Sequence, residues 1–132
     1  MGCEEFQIQA FSGNAAAATA HANRALRLSP FDPLAFTAHI ALGVAAIQEA
    51  RYDEAASFFV TALQANSRFS SLYFAQAIAL ALAGRVEEAK PIVRLGLELE
   101  PAFRTKLYAE IGMAPAIVSK LAEGGRLLGL PE

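Results

Sequence analysis

The stretch RYDEAASFFVTALQANS (51–67) decides the fold, because a second stretch, RVEEAKPIVRLGLELEP (85–101), matches it further along the chain. The aligned pairs are Arg51 with Arg85, Glu54 with Glu88, Ala55 with Ala89, Phe59 with Val93, Ala62 with Gly96, Leu63 with Leu97 and Ser67 with Pro101. Self-similarity at this period of about 34 residues predicts a helix–turn–helix unit whose apolar face is buried only when neighbouring units stack on it. Such stacks present extended surfaces, so the spacing favours binding of a partner over chemistry in a pocket.

The composition is typical of an all-α chain of one domain. Its 132 residues are enough to bury a hydrophobic core, and 55% of them are hydrophobic. Alanine is the most frequent residue, and alanine has the highest helix propensity. β-branched residues are sparse, and no alternation of apolar and polar residues predicts a strand.

Charge and cysteine content argue against several classes of function. The net charge of −2, with both signs scattered, offers no basic patch for nucleic acid. The uncharged runs 33–48 and 69–84 are each too short to cross a bilayer. The single Cys3 forms no internal disulfide, and acidic residues stand where a secretion signal carries basic ones. Phe6 argues against N-terminal myristoylation, and we therefore expect a cytoplasmic protein.

Breaks between the apolar stretches predict eight helices. Their expected ranges are 3–11, 15–28, 33–49, 53–65, 69–83, 86–99, 102–111 and 115–128. Asp32 and Pro33 predict the N-cap and first turn of the third helix. The SPFDP linker (29–33) lengthens the first repeat step, which runs from Ala25 to Ala62. Pro91 lies well inside its helix, where loss of a backbone hydrogen bond predicts a kink.

Two positions in the middle unit are expected to set its packing. Gly43 lies inside a helix, where glycine costs about 1 kcal/mol relative to alanine. We expect that this glycine allows the paired helix to approach closely, which a methyl group would obstruct. Phe59 is expected to fill the space between consecutive units, and His39 to be a core or half-buried histidine.

These units resemble the tetratricopeptide repeat, or TPR. The residues that carry the resemblance are Leu42, Gly43, Tyr52, Ala55, Phe59 and Ala62 in one unit, and Tyr73, Ala77, Gly84, Ala89, Val93, Gly96 and Pro101 in the next. A weaker first unit places Gly13, Ala18, Ala25 and Pro30 on the pattern. His39 stands where the pattern has Trp, and Ser67 stands where it has Pro. The resemblance implies one domain (1–132), a right-handed α-solenoid with units at about 2–32, 36–69 and 70–103, followed by a half-repeat and capping helix at 104–132.

No arrangement of residues predicts catalysis, a cofactor or a bound metal. His21 and His39 fall on different predicted helices, and no carboxylate or thiol accompanies either in a known motif. A metal site needs three or four clustered ligands. Gly124-Gly125 lacks the Lys and Ser or Thr of a phosphate-binding loop. We therefore expect a protein that is not an enzyme.

The resemblance implies that the first helix of each unit lines a concave groove for a protein partner. The groove residues it implies are Thr37, Ile40, Val44, Ile47, Gln48, Ser71, Phe74, Ile78, Ala81 and Leu82. This groove is apolar and lacks the Lys, Arg and Asn with which TPR domains clamp acidic peptide ends. An exposed apolar stripe of this extent needs a cover. The candidates are a second copy of the chain, an amphipathic helix of another protein, or the chain's own last helix. That helix offers Ile117, Val118, Leu121, Leu127 and Leu128.

The chain also resembles, more specifically, the C-terminal TPR region of bacterial multidomain signalling proteins that carry a class III adenylate or guanylate cyclase-type domain. The matching pieces are ALRLSP (25–30) with Arg24, Asp32-Pro33, and GLPE (129–132). None of the metal-binding or purine-contacting residues of a cyclase can be placed here. The resemblance implies a regulatory or docking segment of a larger protein. The alternatives are a small stand-alone scaffold that forms homo-oligomers and, less favoured, a protein that binds a small apolar ligand.

Overall fold

The computed structural model describes residues 13–28 and 33–132, and this part of the chain is helical with no strand. Its helices are α1 (Ala15–Leu28), α2 (Pro33–Gln48), α3 (Tyr52–Ala65), α4 (Ser70–Leu82), α5 (Val86–Leu99), α6 (Leu107–Glu110) and α7 (Pro115–Leu127). Consecutive helices from α1 to α5 pack against each other, and α7 packs against both α2 and α4. The predicted all-α, repeat-like architecture is confirmed. The predicted helix 3–11 and the Asp32 N-cap lie outside the described residues.

The period seen in the sequence is also a period of the backbone. α5 (86–99) is the counterpart of α3 (52–65), with both ends shifted by the sequence period, and α2 and α4 end one period apart. In the turn after α2, Arg51 N–H donates to Ala46 O at 2.8 Å, and after α4 Arg85 N–H donates to Leu80 O at 2.8 Å. The residue before each arginine has a positive φ, 60° and 84° respectively. Two equivalent helical hairpins, α2–α3 and α4–α5, therefore stack side by side.

The first repeat follows the same plan with the longer step predicted from its linker. α1 (15–28) is the counterpart of α3 (52–65), and the two have the same length. Gly13 has a φ of 94° at the position that Ala50 takes in the next unit. Asn14 begins the helix in the manner of an N-cap, since its Oδ1 accepts from Ala17 N–H at 3.4 Å.

The two packing positions of the middle unit behave as expected. Phe59 is only 2% exposed, and a Cβ atom at Gly43 would lie 2.5 Å from Cε1 of its ring. Phe59 also meets Leu72 and Ala75 of the next hairpin around one small cavity. The predictions for Gly43 and Phe59 are confirmed: the glycine admits the ring, and the ring fills the space between hairpins.

The remaining signature residues lie in the core or in turns. Buried are Leu42, Ala55, Ala62, Ala77, Ala89 and Gly96, half-buried are Tyr52, Tyr73 and Val93, and exposed are Gly84 and Pro101. The exposed pair stands where helices end, so these residues shape turns rather than fill the core.

The helix predicted at 102–111 is wrong in extent, because only α6 (Leu107–Glu110) forms there. Phe103 turns inward instead, and its ring stacks on that of Phe74 with centroids 3.7 Å apart and planes 6° apart. Thr105 N–H then donates to Pro131 O at 3.0 Å. Backbone N–H groups that could have continued a helix, such as that of Thr105, instead donate hydrogen bonds to carbonyl groups of residues 131 and 132.

The other described helices agree with the predicted boundaries to within one residue. α5 runs unbroken through Pro91, whose side chain is exposed. Water can reach this side of the helix, which moderates the cost of the missing N–H. A kink at Pro91 stays a prediction.

Candidate binding groove

The predicted groove lies between α2 and α4, and α7 occupies it. On α7, Ile117 and Leu121 are 1% and 3% exposed, and Val118 and Leu128 are half-buried. Leu127 is instead 53% exposed, since it lies to one side of the helical face that carries Ile117 and Leu121. Of the three covers left open by the sequence, the chain's own last helix is the one observed.

All ten predicted groove residues are removed at least partly from solvent. Ile40, Val44, Ile47, Phe74, Ile78 and Ala81 are buried, and Thr37, Gln48, Ser71 and Leu82 are half-buried. Ile40, Val44, Ile47 and Ser71 meet Ile117 and Leu121 around one cavity. The groove is therefore a covered apolar seam and not an open surface.

Phe74 belongs to the hairpin more than to the groove. A Cβ atom at Gly96 of α5 would lie 2.9 Å from Cζ of Phe74, and Phe103 stacks on the same ring. The ring needs the missing side chain of Gly96 to fit between α4 and α5. Contact of Phe74 with a partner stays a prediction.

A small cavity remains beneath α7. It measures about 30 Å³ and is lined by Ile40, Val44, Ile47, Phe59, Ser71, Leu72, Ala75, Tyr108, Met113, Ile117 and Leu121. This volume would hold about one water molecule, but a cavity lined by apolar side chains stays dry. The resident helix therefore fits the groove well and does not fill it completely.

Two adjacent glycines let α7 pack closely, Gly124 against the groove and Gly125 against the segment that follows α5. A Cβ atom at Gly124 would lie 2.6 Å from Cγ2 of Ile78 and 3.0 Å from its carbonyl oxygen. A Cβ atom at Gly125 would lie 2.7 Å from Cγ2 of Thr105. In the sequence this glycine pair resembles a phosphate-binding motif only superficially, because the Lys and Ser or Thr of that motif are missing. Glycines in a helix whose other face is polar could have signalled a close helix contact.

Polar contacts fasten the cover at its edges. Lys120 Nζ donates to Gln48 O, the last residue of α2, at 2.8 Å, where a cation also complements the negative end of the helix dipole. Tyr108 OH donates to Ser71 O at 2.9 Å. Burial, and to a lesser degree Glu100, raises the pKa of Tyr108, so its hydroxyl remains a donor at any physiological pH.

The tail beyond α7 folds back as a latch, comprising Leu130, Pro131 and Glu132. Leu130 is 7% exposed, and its N–H donates to Gly125 O at 2.9 Å. Lys106 N–H donates to Glu132 O at 3.0 Å. Arg126 pairs with the Glu132 carboxylate at 2.9 Å, and both side chains are largely exposed. The latch combines one buried leucine with a few backbone hydrogen bonds.

No catalytic arrangement appears in the part of the chain that the structure describes. His39 is half-buried, burial lowers its pKa, and its Nδ1 makes no hydrogen bond there. Within residues 13–28 and 33–132, no three His, Cys, Asp or Glu side chains group as metal ligands. None of the described helices is both long and apolar enough to span a bilayer.

Charged side chains join the two hairpins at the surface. Arg85 at the start of α5 binds Glu88 at 2.7 Å and Asp53 of α3 at 2.8 Å. The hydrogen bond from Arg85 lowers the pKa of Glu88. All three side chains are exposed, and exposed pairs of this kind add little stability.

A shallower depression lies between α3 and α5 over α4. It holds about 470 Å³ near Arg85 and about 270 Å³ near Leu95, and both parts share Val60, Gln76 and Ile92. Leu95 is 48% exposed and Val60 37% exposed. None of its lining residues belongs to α2 or α7, so this surface serves as a comparison for the groove.

Searches against protein-family models, curated proteins and solved structures found no match to the chain. The resemblances to TPR proteins and to a cyclase-linked region therefore stay predictions from the sequence.

Proposed function

We propose that the chain is a non-catalytic interaction module of the TPR type that binds a helical segment of a protein partner. The observation that carries the proposal is the seating of one helix, α7, on an apolar surface formed by α2 and α4 of two stacked hairpins. Helix-in-groove recognition uses apolar anchors spaced by three or four residues. Ile117, Leu121 and Gly124 meet the groove at this spacing.

The groove chemistry favours a peptide partner over a small-molecule substrate. Among its ten residues only Thr37, Gln48 and Ser71 carry polar side chains, and none is ionisable. A small-ligand site usually adds precisely placed polar groups to an apolar pocket, and the cavity of about 30 Å³ is too small for such a ligand. A long apolar seam suits the face of a helix.

Site-specific photo-crosslinking in cells tests this function. A photoreactive leucine analogue at Leu82, on the groove edge, should capture a protein partner, and mass spectrometry should place the crosslink within a predicted amphipathic helix. The same analogue at Leu95, in the depression between α3 and α5, is the matched control. Capture only from Leu95, or none from either position, would count against a groove-binding module.

The wider setting of the module is proposed from the sequence alone. ALRLSP (25–30) and GLPE (129–132) support its placement as the docking region of a larger bacterial signalling protein with a cyclase-type domain. The genomic reading frame tests this: an open frame that continues upstream of Met1 into a cyclase-type domain supports the placement. A stop codon and ribosome-binding site directly upstream would contradict it and favour the stand-alone scaffold.

A further inference from the structure

We propose that α7 is a replaceable internal occupant of the groove, and that the groove accepts in its place a partner helix with the same pattern of side chains. This inference rests on the proposed function and specifies how its site is regulated and what it recognises. The pattern comes from the contacts of α7 itself. It consists of two large apolar residues, a lysine and two adjacent small residues, at the places of Ile117, Leu121, Lys120 and Gly124-Gly125.

The small residues are the most selective part of the pattern. At Gly124 an added methyl group would meet the Ile78 carbonyl oxygen at 3.0 Å as well as the Ile78 side chain. Because backbone moves less readily than the end of a side chain, a bulky residue cannot enter here without lifting the helix. Two adjacent glycines also weaken the helix that carries them. They therefore suit close docking and disfavour α7 as a helix on its own.

The fit of α7 leaves room for a better occupant. The cavity of about 30 Å³ lies directly under Ile117 and Leu121, and its lining loses contacts that a larger side chain would restore. A partner helix with phenylalanine in place of Ile117 would reach into this space. Such a helix competes with α7 by filling what α7 leaves empty.

The latch determines how often α7 leaves the groove. Leu130 is its only deeply buried side chain, and the Arg126–Glu132 pair is exposed. If α7 must leave before a partner enters, the apparent dissociation constant is the intrinsic one divided by the open fraction. Loosening the latch should therefore tighten binding in trans without altering the groove.

Fluorescence anisotropy with labelled peptides tests the proposal on the full chain. The probe is a synthetic peptide of residues 113–132 with Ile117→Phe, and the matched control peptide carries Gly124→Leu as well. We expect Leu130→Ala protein to bind the probe about tenfold more tightly than the wild-type protein does. Leu127→Ala, on the exposed side of α7, should leave the affinity unchanged, and the control peptide should bind neither protein.

Three outcomes would overturn the proposal. The first is equal affinity of the Leu130→Ala and wild-type proteins when circular dichroism shows both folded. The second is equal binding of the probe and the Gly124→Leu peptide. The third is that Leu130→Ala protein forms a dimer in sedimentation equilibrium and the probe does not dissociate it, because the groove would then bind a second copy of the chain. A partner captured from Leu82 alongside any of these results would retain the interaction function and reject only the replacement of α7.

Discussion

The contact between Gly43 and Phe59 makes a quantitative prediction. A methyl group at Gly43 would meet three atoms of the Phe59 ring at 2.5, 2.7 and 2.9 Å, and the buried ring has little room to move. Overpacking of this kind costs roughly 1–3 kcal/mol, and removing a mid-helix glycine returns about 1 kcal/mol. Gly43→Ala should therefore lower the free energy of unfolding by about 1 kcal/mol.

The next hairpin, α4–α5, has a larger residue at the position of Gly43 and a smaller one at the position of Phe59. One repeat period further along, Ala77 stands for Gly43 and Val93 for Phe59. Phe59→Val alone should cost roughly 2–4 kcal/mol because it empties part of the core. In that background the methyl group of Gly43→Ala enters vacated space, so the substitution should become stabilising by about 1 kcal/mol through helix propensity. The expected coupling between the two changes is about 2 kcal/mol.

Urea denaturation followed by far-ultraviolet circular dichroism measures all four corners of this double-mutant cycle. The matched control pairs Gly43→Ala with Val60→Ala, which lies on the same helix as Phe59 at 37% exposure and should give additive losses. If Gly43→Ala and Phe59→Val were additive to within about 0.5 kcal/mol, the close approach of α2 and α3 would not depend on this contact.

Three further predictions address the turns, the cover and the pH dependence. Ala50 has a φ of 60° where the next unit has Gly84, so Ala50→Gly should stabilise by about 0.5–1 kcal/mol and Gly84→Ala should destabilise by a similar amount in thermal unfolding. Gly124→Ala should lower the free energy of unfolding by about 1 kcal/mol, the net of overpacking against Ile78 and the gain in helix propensity. Amide hydrogen exchange in α7 should then be faster than in the wild-type protein, whereas exchange in α3 should be unchanged. Burial lowers the pKa of His39 from 6.5, so the unfolded chain binds the proton more readily. Stability should fall as the pH drops below 6.5, and His39→Gln should flatten this slope.

Most of the hairpin architecture could be predicted from the sequence because it is decided locally. The repeat period recurs in helix ends and in turn hydrogen bonds, since the same residue types occupy the same steps of each unit. Gly43 and Phe59 were identifiable separately, because a mid-helix glycine indicates close approach of another helix and a large ring at this repeat position indicates packing between units. Periodicity and size are properties that a single sequence displays directly.

The position of α7 could not be predicted in the same way. Its apolar residues would suit any apolar surface, so the sequence left three covers for the groove open. What selects the groove is a set of contacts distant along the chain, such as Gly124 with Ile78 and Lys120 with Gln48. The partners of Gly124 and Lys120 cannot be read from the sequence. Each contact depends on a residue that is distant along the chain and becomes a neighbour only in the folded protein.

At the end of the stack, one repeat position likewise shows what could not be predicted from the sequence. Phe69 and Phe103 stand one repeat period apart, so the repeat predicts the same environment for both. Phe69 is 43% exposed and has the ring of Phe36 beside it at 5.7 Å, whereas Phe103 is 1% exposed and stacks on Phe74. The difference arises because the chain turns back after Phe103 instead of entering another hairpin, and the ring of Phe103 lies between those of Phe74 and Tyr108. A repeat can therefore specify how each unit packs on the next, but the residues after the last unit decide where stacking stops.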